Sequence, residues 1–95
     1  RGQKITYITD TIYNDEVVEA IKETAQNSDV LYCETHYSQD DATKARDSHH
    51  LTTYQAGILG RKANVKKVVG FHFSPRYRMA RIPTLQKEIE DAFKK

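Results

Sequence analysis

Three short apolar runs, each ending in polar or ionisable residues, most constrain how this chain can fold. They cover residues 4–9 (KITYIT), 30–33 (VLYC) and 66–71 (KKVVGF). Their β-branched and aromatic content reads as strands. The segments between them are long enough for helices. Asn14 or Asp15 can cap a helix running to about Gln26, with Glu16 and Glu19 early in it, where the helix dipole favours acids. Val17, Val18, Ile21 and Ala25 give that helix one apolar stripe. A short helix is expected around residues 42–46. Thr52 and Gln55 have capping-box spacing for a further helix through Lys62, with Ala56, Leu59 and Ala63 facing inward. Residues 78–83 read as a basic linker. Thr84 is expected to cap a last helix over residues 84–95, with Leu85, Ile89, Ala92 and Phe93 on one face. Strand and helix alternate throughout, which is an α/β layout with helices covering a sheet.

Ninety-five residues suit a single domain with a modest core. No apolar stretch reaches the roughly 20 residues of a membrane-spanning helix, so no membrane is expected. The start lacks a secretory apolar core, and a lone cysteine, Cys33, cannot form an internal disulfide. A reducing, cytoplasmic compartment is the expectation. The chain begins without Met and opens almost at once into a strand, which suggests a fragment.

Charge is unevenly placed. Residues 1–48 hold 5 lysines and arginines against 10 carboxylates, whereas residues 49–95 hold 10 against 3. No carboxylate lies between Ser48 and Lys87. A one-sign block of this kind favours an anionic partner such as phosphate or nucleic acid, although solvated basic faces are commoner.

The chemistry-bearing residues fall at strand ends, where α/β sheets gather ligands and catalysis. Asp10 follows the first strand, Glu34 the second, and His72 terminates the third within Val68–Tyr77 (VVGFHFSPRY). His50 stands at the entry to the helix between strands two and three. A carboxylate and an imidazole on neighbouring strand ends can share a divalent metal. A second carboxylate beside a second histidine makes an acid–base pair. Each residue also has a plainer role: a turn aspartate, a rim glutamate, a surface His49-His50 pair, a histidine capping a buried strand. Cys33 and His36 have C-x-x-H spacing, but nothing completes a four-ligand set, which argues against a structural zinc site. Phosphate-loop, dinucleotide, nucleophile-elbow and H-E-x-x-H signatures are absent.

The series Tyr7-Ile8-Thr9-Asp10-Thr11, Cys33-Glu34-Thr35-His36, His50-Leu51-Thr52 and Gly70-Phe71-His72-Phe73-Ser74-Pro75-Arg76-Tyr77, in that order, resembles the C-terminal half of a metallo-β-lactamase-fold hydrolase of the ribonuclease Z branch. The resemblance covers roughly residues 3–77. It implies half of an αβ/βα sandwich, with residues 1–95 a single partial domain. It also implies an endonuclease that removes 3′ trailers from tRNA precursors at a site with two zinc ions, or other divalent metals, about 3.5–4 Å apart. Asp10 then resembles the aspartate bridging the metals, and His72 the last histidine ligand. His50 resembles the histidine that contacts the scissile phosphate and helps the leaving group depart, and Glu34 the glutamate paired with it. Ser74 and Arg76 resemble residues near the phosphate.

Two departures stand out. Cys33 occupies a position where the family often has His, in a His-Glu-Ala-Thr run. The family's H-x-H-x-D-H metal motif is absent, leaving Asp10 and His72 too few to hold two metals. The isolated chain is therefore expected to be inactive. Expected partners are RNA (a tRNA precursor), the missing N-terminal half of the domain and a second copy of the chain. Two other readings remain: a hydrolase of this fold acting on a small phosphodiester or thioester, and a non-catalytic RNA- or phosphate-binding module using Arg76, Arg78 and the Lys66-Lys67 pair.

Overall fold

The computed structural model describes residues 3–9, 11–48 and 50–94. Asp10, the expected bridging ligand, lies outside the described residues, as does His49. The element order is β1 (Ile5–Ile8), α1 (Asp15–Ala25), β2 (Val30–Glu34), α2 (Ala42–Asp47), α3 (Thr53–Lys62), β3 (Val68–Phe71) and α4 (Ile82–Phe93). Single 3-10 turns at Gln39–Asp41 and Met79–Arg81 lead into α2 and α4.

The strands form one parallel sheet in the order β1-β2-β3. Parallel pairing requires crossovers, and α1 and α3 supply them. Asn14 caps α1 by accepting the Val17 N–H at 2.9 Å. The Thr52–Gln55 capping box forms as expected: the Thr52 hydroxyl accepts the Gln55 N–H, and the Gln55 side chain accepts the Thr52 N–H. Beyond the ends of α1 and α3, Asn27 and Asn64 take left-handed conformations, with φ of 61° and 56°. The Asn64 amide donates to Asn27 at 2.8 Å, tying the two turns together.

The core lies between one face of the sheet and the helices. Leu31, Cys33 and Val68 point into it from the strands, and Val18, Ile21, Ala25, Ala56, Leu59, Ala63 and Ile89 from the helices. Each fully buried aliphatic side chain contributes about 1.5–3 kcal/mol relative to exposure. Helices α3 and α4 pack closely because Gly57 carries no side chain: a Cβ there would lie 2.4 Å from the Ile89 carbonyl oxygen and 2.6 Å from Ala92 Cβ. The expected stripe of Leu85, Ile89 and Ala92 is buried.

The last helix differs from expectation at its start. Residues 78–83 are not a linker, and Thr84 is not the cap, because α4 begins at Ile82 with Pro83 in its first turn. Proline is tolerated there, since the N–H it lacks would have no partner inside the helix.

The other sheet face has no helix over it among the described residues. Tyr7 stacks on Tyr32 with ring centroids 4.8 Å apart and meets the edge of Phe71 at 6.4 Å. Ile5 and Tyr7 remain 50% and 62% exposed. Parallel sheets are ordinarily covered on both faces, so this aromatic face is unusually open. No helix among the described residues is long and apolar enough to cross a membrane.

Candidate active site

Strand alternation decides what β2 presents. Leu31 and Cys33 turn toward the helices, leaving Tyr32 and Glu34 on the open face. Cys33 is fully buried on the helix side of the sheet, and burial pushes its thiol up to about 12. Glu34 closes the strand beside Phe71 in the β2–β3 register. Immediately after Phe71, His72 adopts φ of 58°. A left-handed histidine costs about 1–3 kcal/mol and persists only where its surroundings enforce it, a pattern concentrated at functional sites. The reversal leaves the His72 ring largely exposed, with Nδ1 3.3 Å from Glu34 Oε2.

His50 arrives from the opposite side. Its N–H donates to the Ala45 carbonyl at 2.8 Å, anchoring it behind α2. It borders a cleft of about 220 Å³ also lined by Tyr13, Arg46 and Gln55. His36 lies between the two expected histidines. Its ring stacks on His50 with centroids 4.4 Å apart and meets the edge of His72 at 5.9 Å. Ligand atoms of Glu34, His36 and His50 all lie within 4.8 Å of one another. Burial lowers the His36 pKa, and the neighbouring His50 lowers it further, against an opposing pull from the His72 backbone.

The structure thus brings Glu34, His50 and His72 together. It places the Glu34 carboxylate against His72 as well as near His50, where pairing with His50 alone was expected. Ser74 and Arg76 sit differently. Ser74 is buried; its N–H donates to the His36 carbonyl at 2.8 Å, and its hydroxyl accepts the Arg76 N–H at 3.4 Å. The Arg76 guanidinium lies 3.3 Å from Asp41 and 5.9 Å above the Tyr37 ring. Tyr77, buried beside it, accepts the Ser38 N–H at 2.8 Å and donates to Asp41. That hydrogen bond, ahead of the Arg76 charge, holds the Asp41 carboxyl below the usual range. The segment after His72 is therefore clamped to the turn before α2.

Sequence reasoning missed three of these residues. His36 was weighed only with Cys33, whereas its two-residue spacing from Glu34 at a strand end was the usable signal. Asp41 and Tyr77 meet across 36 residues, and no local pattern announces them. Tyr77→Phe should destabilise the fold by about 1–3 kcal/mol, because the buried Ser38 N–H would lose its acceptor. A denaturant melt checks this, and an unchanged midpoint would count against the clamp.

No protein-family model matches the chain. Its sequence is similar to ribonuclease Z of Bacteroides thetaiotaomicron, 40% identical over 76 residues, which are 80% of this chain and 23% of that protein. It is 33% identical over 93 residues to ribonuclease Z of Bacillus subtilis, covering 98% of this chain and 29% of that protein. The chain thus spans about a quarter of the length of the curated relatives it matches. Its structure is similar to a metallo-β-lactamase fold protein, YhfI, from Bacillus subtilis, with a TM-score of 0.77 at 20% identity, over 95% of this chain and 33% of that one. The chain therefore has the architecture of part of a metallo-β-lactamase fold, and its sequence is similar to ribonuclease Z along most of its own length.

Proposed function

We propose that this chain is the C-terminal part of a metal-dependent phosphodiesterase of ribonuclease Z type, cutting the 3′ trailer from tRNA precursors. The observation that carries the proposal is the meeting of Glu34, His50 and His72 at the carboxyl ends of β2 and β3, in a chain similar to ribonuclease Z along most of its length.

The donor chemistry suits zinc. Imidazole and carboxylate are its ordinary ligands, and the His72 ring stands largely exposed beside Glu34. In this reading His72, with Asp10, would hold zinc, and the remaining ligands come from outside this chain. Zinc there supplies an activated water and neutralises phosphate charge. The chain's own residues do the rest. Glu34 orients the imidazoles on either side of it. His50 faces the cleft and passes a proton to the departing ribose oxygen. Arg76, half exposed and steadied by Asp41, adds positive charge at the rim.

RNA as substrate is supported by an open groove of about 460 Å³, lined by Arg76, Arg78 and Arg81 next to this rim. The uncovered aromatic face of the sheet supports packing against a further sheet of the same domain, which would complete the sandwich. A substrate panel on the full-length protein tests the reading. A tRNA precursor with a 3′ trailer should be cleaved far faster than a small aryl phosphodiester or a thioester. Preference for either small substrate would replace the assignment with another hydrolase of this fold. Salt-dependent RNA binding without cleavage would favour a binding module.

A further inference from the structure

His36 takes no part in the chemistry above, yet it sits against both His50 and His72. Its ring is pressed against His50, and its Nδ1 is buried with no hydrogen-bond partner among the described residues. Buried polar atoms are nearly always paired, so an orphaned ring nitrogen needs an explanation. Glu34 and His50 supply one. Together the three residues offer a carboxylate oxygen and two imidazole nitrogens, all within 4.8 Å of one another. A tetrahedral ion bound at about 2.0–2.2 Å sets its ligands roughly 3.4 Å apart. Small rotations of the partly exposed Glu34 and His50 side chains would close that difference. A water would complete the fourth position.

We propose that Glu34, His36 and His50 form a separate site for zinc or a similar first-row divalent cation, distinct from the Asp10–His72 pair. Occupancy has a consequence that rests on the functional reading given above. An ion held by His50 and Glu34 removes the proton donor and its orienting carboxylate from the reaction. The site is thus inhibitory, filled only when free metal exceeds what the reaction needs. Two imidazoles and one carboxylate favour zinc, nickel or copper, and discriminate against magnesium, which prefers an all-oxygen octahedron.

The test uses full-length protein stripped of metal and dialysed against buffered zinc, with bound zinc measured per chain. Wild type should hold one zinc more than His36→Ala or His36→Thr, or bind its weakest zinc at least about 10–100-fold more tightly. Two substitutions of different size guard against a local folding defect, and a far-ultraviolet spectrum checks each. In a cleavage assay, excess zinc should inhibit wild type, whereas each His36 variant should be insensitive relative to its own rate without added zinc. Magnesium at the same concentration should not inhibit wild type. Equal zinc content and affinity in wild type and both variants would overturn the site. If the protein cleaved no phosphodiester but kept the His36-dependent zinc, the functional reading would fail and the cation site would stand. Cleavage without any His36-dependent zinc would do the reverse.

Discussion

His50→Ala in the full-length protein should slow phosphodiester cleavage by about 10²–10⁴-fold, the usual contribution of a positioned general acid or base. The zinc assigned to Asp10 and His72 should remain bound. The distinction follows from position: His72 ends β3 and turns its ring out beside Glu34, whereas His50 enters from the α2 side and borders the cleft. Asp10→Ala and His72→Ala should therefore lose zinc and turnover together. Single-turnover cleavage and zinc content, measured on the same preparations, separate the two behaviours. A fully active His50→Ala would remove His50 from the reaction. The same variant should also lose the weaker zinc that depends on His36, because it deletes a shared ligand.

Gly57→Ala should destabilise the fold by about 1–3 kcal/mol, the usual cost of overpacking. Helix propensity alone predicts the opposite, since alanine is favoured over glycine by up to about 1 kcal/mol inside a helix. The added methyl has nowhere to go. It would meet the Ile89 carbonyl oxygen, Ala92 Cβ and the Phe93 amide nitrogen, all closer than 3.0 Å, and two of these are backbone atoms. Helix α4 would have to move away from α3, opening the packing of Leu59 and Ile89. Domains of this kind have total stabilities of about 5–15 kcal/mol, so the loss is a sizeable fraction. A lower denaturation midpoint with an unchanged slope is the expected readout. Stability equal to wild type would show that the two helices are not in this close contact.

The fold was legible where local physics acts alone. Period-two runs marked the strands, the Thr52–Gln55 spacing marked the start of α3, and the Val18, Ile21 and Ala25 stripe marked the buried side of α1. The start of α4 was not legible: its first turn carries Pro83, a residue that breaks helix interiors but is accepted in a first turn. At the site, Glu34 and His72 stood out because strand ends in α/β sheets collect chemistry, and His50 through the His-Leu-Thr run of the resemblance. His36 did not, because its meaning depends on His50 stacking against it from another element. Arg76 and Ser74 were expected at a phosphate. Their hydrogen bonds and ion pair, to partners distant in sequence, also tie down the turn after His72, which no local pattern announced.

The proposed role of these residues is a metal-dependent nuclease site for tRNA precursors. It is tested most directly by incubating the full-length protein with a precursor carrying a 3′ trailer, before and after metal removal. Trailer release that stops with chelation and returns with zinc is the predicted result. Release unaffected by chelation, or no release at any zinc concentration, would contradict it.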